Sequence, residues 1–102
     1  MDKWKIDVKY KAEVFGSISS DSILVKMWAS FESDVTTNPF FHPKRNRIKK
    51  LKGKTSYPPG AHRYRKDPLR VVYIPEKETK IIYPLEAATT TQISYKKRTK
   101  GK

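Results

Sequence analysis

An α+β domain is what this sequence predicts, on three observations. One amphipathic helical stripe lies early in the chain, a run of short β-prone segments follows it, and turn residues separate those segments at short intervals. The chain has 102 residues, enough for one hydrophobic core and too few for two. Hydrophobic residues make up 36% and aromatic residues 12% of it, more than a disordered polybasic segment carries, so a thin folded core is expected.

Lys3 to Tyr10 alternates, with Trp4, Ile6, Val8 and Tyr10 on one side and Lys3, Lys5, Asp7 and Lys9 on the other. That period of two predicts a strand with one face buried. Lys11 to Ile18 predicts a short helix, weakened by Gly16. Ser19-Ser20-Asp21-Ser22 is N-cap chemistry ahead of a longer helix over Ile23 to Val35. There Ile23, Leu24, Met27, Trp28, Phe31 and Val35 recur at the three- and four-residue spacings of a core-facing stripe. Thr36-Thr37-Asn38-Pro39 ends it, because the residue before a proline is pushed out of the helical region.

From Phe40 to Lys54 the chain turns basic, with a short strand expected over Ile48 to Leu51. Tyr57-Pro58-Pro59-Gly60 is a turn by composition. His62 to Lys66 follows, then a turn at Asp67-Pro68 and the most apolar β-prone run, Arg70 to Ile74, read as a central strand. Pro75 to Glu78 is the next expected turn, Thr79 to Leu85 a further strand and Thr89 to Tyr95 a final edge strand. The expected architecture is an N-terminal strand and helical hairpin packed on an antiparallel sheet. A single domain over residues 1–95 then precedes a mobile basic tail over 96–102.

Charge is segregated along this order. The chain holds 23 basic and 10 acidic residues, for a formal charge of +13. Residues 1–34 carry a net −1, residues 35–70 a net +10 and residues 71–102 a net +4. Asp67 is the only acid between Asp34 and Glu76. Self-repulsion on this scale disfavours the compact state and persists where a polyanion neutralises it, so the middle third is expected to meet a phosphate backbone. Lys44, Arg45, Arg47, Lys49, Lys50, Lys52, Lys54 and Lys66 are the candidate nucleic-acid contacts.

Other chemistries are disfavoured. No cysteine is present, which removes disulfides and thiolates. His42 and His62 stand apart from any metal-ligand spacing, so no metal and no cofactor are expected. The apolar runs are too short to span a membrane, and no apolar segment after the N-terminus suggests a signal peptide. A cytoplasmic protein is the resulting expectation.

Several motifs, in order, resemble the RelE/ParE superfamily of bacterial toxins from type II toxin–antitoxin modules. They are Asn38-Pro39 at the end of the helical hairpin, Lys49-Lys50-Leu51-Lys52-Gly53, Arg63-Tyr64-Arg65, Arg70-Val71-Val72-Tyr73 and a late tyrosine, Tyr95. The resemblance covers about residues 3 to 97. It implies a toxin of the RelE kind that inhibits translation by cutting mRNA in the ribosome, with the ribosome, mRNA and a cognate antitoxin bearing an acidic or amphipathic segment as partners. ParE-like members share the fold and inhibit DNA gyrase instead, and a basic RNA-binding module without catalysis is a third reading.

Metal-independent RNA cleavage needs a proton acceptor for the ribose 2′-OH and positive charge at the phosphoryl oxygens. Arg63 and Arg65, two apart, share a strand face, and Arg70 returns beside them across the Asp67-Pro68 turn. The resemblance adds Tyr95, for stacking or proton transfer, to make the candidate catalytic set Arg63, Arg65, Arg70 and Tyr95. His62 falls on the opposite strand face from Arg63. In the bland alternative Arg63 and Arg65 pair with Glu76, Glu78 or Glu86, Arg70 anchors the sheet, and Tyr64 and Tyr73 are core aromatics. One departure stands out. RNA-cutting relatives carry a basic residue shortly before the late tyrosine, and residues 86–94 here contain none.

Overall fold

The structure is a computed structural model and describes residues 4–44, 46–51 and 57–89. Within them the order is β1 (Lys5–Ile6), α1 (Val8–Gly16), α2 (Ser22–Thr37), β2 (Ile48–Lys50), β3 (His62–Lys66), β4 (Leu69–Glu76) and β5 (Ile81–Thr89). The α+β class holds. The sheet is mixed rather than wholly antiparallel. Its order is β1-β5-β4-β3-β2, and β1 runs parallel to β5 while every other pair is antiparallel. The chain between these two strands, both helices and β2 to β4, supplies the long connection that parallel pairing needs.

The expected strand over Lys3 to Tyr10 shrinks to two residues, because capping overrides alternation. The Asp7 side chain accepts from the Tyr10 backbone N–H at 3.0 Å and starts α1 at Val8. Val8 and Tyr10, counted as inward by period two, are exposed. The second helix begins where the N-cap residues placed it: Asp21 Oδ1 accepts from the N–H groups of Ile23 and Leu24. It runs on to Thr37, and Leu24, Trp28, Phe31 and Val35 are buried on one stripe. Removing each from water contributes roughly 1.5–3 kcal/mol.

Phe31 sits at the centre, fully buried, with edge-to-face contacts to Tyr64 and Tyr73 and a tilted contact to Trp28. Leu69, Val71 and Tyr73 of β4, with Ile82 and Ala87 of β5, complete this core. The strand starting at Arg70 in the sequence reading starts at Leu69 and includes Pro75 and Glu76, so the expected turn moves to residues 77–80, where Lys80 takes a positive φ of 57°. The β5 strand likewise extends to Thr89 beyond the expected end at Leu85. A register shift between Val72 and Tyr73 sets Pro84 against Tyr73 and Glu86 against Val72, leaving Leu85 as an extra residue. The remainder of the expected edge strand to Tyr95, and the tail over 96–102, lie outside the described residues.

The outer edge of β5 is partly closed by α1. Ser17, just past the helix, donates its hydroxyl to Ala87 O at 3.0 Å, satisfying a carbonyl that β1 is too short to reach. Among the described residues, no helix is long and apolar enough to cross a membrane.

Candidate nucleic-acid interface

Both helices lie against one face of the sheet, and the register assigns each candidate side chain to a face. On β3, Tyr64 meets α2 through its hydroxyl, which donates to Asp34 Oδ2 at 2.6 Å. Period two therefore puts His62, Tyr64 and Lys66 beneath the helices and Arg63 and Arg65 on the opposite, helix-free face. On β4 the core residues Leu69, Val71 and Tyr73 alternate with Arg70, Val72 and Ile74, which take the helix-free face.

Two cross-strand rows result. Arg65 pairs with Arg70, and the Arg65 backbone N–H donates to Arg47 O at 2.8 Å, so the Arg47 backbone adjoins this pair while its guanidinium turns to the Tyr64 ring. In the next row Lys49 pairs with Arg63, Arg63 with Val72, and Val72 with Glu86. Beyond these rows the helix-free face turns apolar. Ala61 and Val72 are buried there against Leu51, Tyr57, Ile74, Leu85 and Ala88. Tyr57 lies over this part and donates its hydroxyl to Glu86 Oε1 at 2.5 Å.

The three arginines of the candidate set share the face as the sequence reading expects, but their environments differ. Arg63 is 9% exposed, and its Nη1 donates to Asn46 O at 2.7 Å. Asn46 carries a positive φ of 65°, so Arg63 ties down the turn that leads into β2. Arg65 is partly exposed and makes a two-pronged contact with Asp67: Nε donates to Oδ1 at 3.1 Å and Nη2 to Oδ2 at 3.2 Å. The partner is thus Asp67 rather than the glutamates weighed above. Arg70 is half-buried beside it. The Asp67 carboxyl is held below the ordinary carboxylate range, first by the Arg65 hydrogen bonds; a slight burial effect opposes, and the charges of Arg65, Arg70 and Arg47 add.

Lys50 and Lys66, read as polyanion contacts, are on the helix-covered side. Lys66 Nζ donates to Ser30 Oγ at 2.9 Å, and Lys50 pairs with His62. Arg47 is at the sheet edge, its guanidinium 5.7 Å from the Tyr64 ring centroid, and Lys44 is exposed in the loop before it. Arg45, Lys52, Lys54 and Tyr95 lie outside the described residues.

His62 packs between the Phe40 ring, edge-on at 5.5 Å, and the Tyr73 ring, stacked at 5.9 Å, while its Nδ1 is 2.9 Å from Gly60 O. Burial pushes its pKa down, the Gly60 hydrogen bond opposes, and the Lys50 charge pushes the same way as burial. This is a packing histidine on the far side of the sheet from the arginines. Tyr64 and Tyr73 are core aromatics, and burial raises the pKa of both phenols well beyond the ordinary range. Tyr73 donates its hydroxyl to Pro39 O at 2.6 Å, fastening the Asn38-Pro39 helix stop to the sheet.

The residue the sequence reading missed is Asp67. Its place before Pro68 marks it only as a turn former, although an Arg-x-Asp spacing at a hairpin end is the signal for this contact. Among the described residues, no group of three or more His, Cys, Asp or Glu side chains is placed to hold a metal ion. Comparison with protein-family models, curated proteins and solved structures finds no match for this chain.

Proposed function

We propose that the cationic half of the helix-free face binds single-stranded RNA, and that the protein acts on mRNA at the ribosome as a RelE-like toxin. The observation that carries the binding reading is the cross-strand pair of Arg65 and Arg70. Forked guanidiniums in register suit successive phosphates, and the flanking Lys49 extends the positive field. The toxin reading rests on the ordered motifs from Asn38-Pro39 to Tyr95 and on the strand, helical hairpin and sheet order they imply.

One observation favours a second reading, an RNA binder that does not cut. On the helix-free face the two described carboxylates near the arginines are engaged, Asp67 by Arg65 and Glu86 by Tyr57, and His62 is on the far side. This leaves the described residues without an unengaged carboxylate or imidazole as proton acceptor beside the arginines, and residues 86–94 add no basic group to stabilise phosphoryl charge.

Tightly controlled expression in a bacterium, with mapping of mRNA 5′ ends, separates the readings. New codon-phased ends on induction support the toxin. Translation arrest with intact transcripts supports the non-cutting binder, and a DNA-damage response with normal translation supports the gyrase alternative. Absence of salt-dependent RNA binding by the purified protein overturns both RNA readings.

A further inference from the structure

Asp67 holds an unusual position. It is the only acid between Asp34 and Glu76, and it lies in the two-residue turn between β3 and β4 at the end of the arginine row. Its two oxygens take the Nε and Nη2 protons of Arg65, the same two-pronged arrangement a phosphate oxygen pair would accept. Arg70 is the cross-strand partner of Arg65. The contact is also open to exchange, since the Asp67 side chain is 58% and the Arg65 side chain 39% exposed.

We infer that Asp67 is an internal stand-in for phosphate: its carboxylate occupies the Arg65 fork in the free protein, and a backbone phosphate of the ligand displaces it. The inference deepens the RNA-binding reading above and rests on it for the identity of the ligand. An exposed carboxylate on an arginine contributes little to stability. Its larger effect is on binding, because a ligand phosphate must break the pair and then sit beside the released negative charge. Asp67 thereby weakens indiscriminate attachment to polyanions by a mainly cationic surface. The depressed Asp67 carboxyl described above agrees with a seat built for an anion.

The test compares wild type, Asp67→Asn, Arg65→Ala, the double variant and Glu78→Gln. The last removes one exposed acid from the turn between β4 and β5 and reports the effect of net charge alone. A fluorescein-labelled single-stranded RNA is titrated by anisotropy at several salt concentrations. Asp67→Asn is expected to tighten binding about three- to tenfold at low salt and to steepen the log–log salt dependence by about 0.7, one further phosphate neutralised. Glu78→Gln tightens it less, and the Asp67→Asn gain vanishes in the Arg65→Ala background.

In parallel, inorganic phosphate is titrated while the Arg65 Nε–H resonance is followed by NMR. A shift that saturates at lower phosphate in Asp67→Asn supports the stand-in. If neither protein binds RNA but this shift behaves as expected, the anion seat stands and the RNA reading falls. Unchanged or weaker binding of both probes by Asp67→Asn overturns the inference, as does a gain that survives Arg65→Ala. Asp67→Ser serves the same comparison if the asparagine variant does not fold.

Discussion

The two faces of this sheet are built from the same strands, yet they use polar groups in opposite ways. Beneath the helices, the hydroxyls of Tyr64 and Tyr73 and the ammonium of Lys66 each donate to one protein oxygen, and His62 is wedged between two rings. Such groups are stabilising only because each partner is supplied. On the other face Lys49, Arg63, Arg65 and Arg70 share the surface with two carboxylates, Asp67 held by Arg65 and Glu86 held by Tyr57. Polarity serves the fold on one face, and on the other, beside the turn held by Arg63, it leaves the positive charge proposed above to bind RNA.

Breaking the comparison begins with the core. Phe31→Ala is expected to cost about 3–5 kcal/mol in urea denaturation, since the ring is fully buried against three other aromatic residues. The next test separates Arg63 from its neighbours. Arg63→Ala should lose about 1.5–3 kcal/mol, because a buried guanidinium no longer holds the Asn46 carbonyl. Equal losses of stability in Arg63→Ala and Arg65→Ala would erase the distinction between an arginine that holds a turn and one held by an exposed carboxylate.

Tyr73→Phe leaves the Pro39 carbonyl without its donor and should lower stability by about 1–2 kcal/mol with no change in RNA affinity. Arg65→Ala reverses that pattern: stability falls by less than about 1 kcal/mol. Its RNA affinity drops, and the salt dependence becomes shallower by about 0.7. The smallest effect is in pH. The pKa of His62 is lowered in the folded chain, so the unfolded chain takes up the proton first as pH falls below the ordinary imidazole value of 6.5. Stability is therefore full above that value and declines below it until the folded-state pKa is passed. Thermal midpoints at pH 7.5 and 5.5 should differ more in wild type than in His62→Gln.

Features set by strong local chemistry were legible in the sequence. The helix over Ser22–Thr37 follows from its N-cap and its apolar spacing, and the grouping of Arg63, Arg65 and Arg70 follows from period two and a short turn. The misreadings arose where a single contact outweighed a pattern. Asp7 capped a helix inside an alternating run, while Lys66, grouped with the basic run by charge, falls on the helix-covered side by the alternation of β3 and donates to Ser30 there. Burial of Arg63 was invisible because it depends on the Asn46 turn, seventeen residues away in the chain. The parallel partnership of β1 and β5 joins the two ends of the described fold, and local propensity carries no record of it.

The extra residue at Leu85 determines which residues of β5 each face receives. Ile82 and Pro84 lie under the helices, and after the bulge Ala87 does so while Glu86 meets Tyr57 on the other side. Strict alternation through Leu85 would carry the Glu86 carboxylate into the apolar layer and turn Ala87 outward; the bulge prevents this, and removing Leu85 itself would leave both residues on their present faces. The bulge is therefore the point at which β5 can lose a residue: deletion of Leu85 should keep every other side chain on its face, where deletion of Tyr83 would put Ile82 and Pro84 on opposite faces.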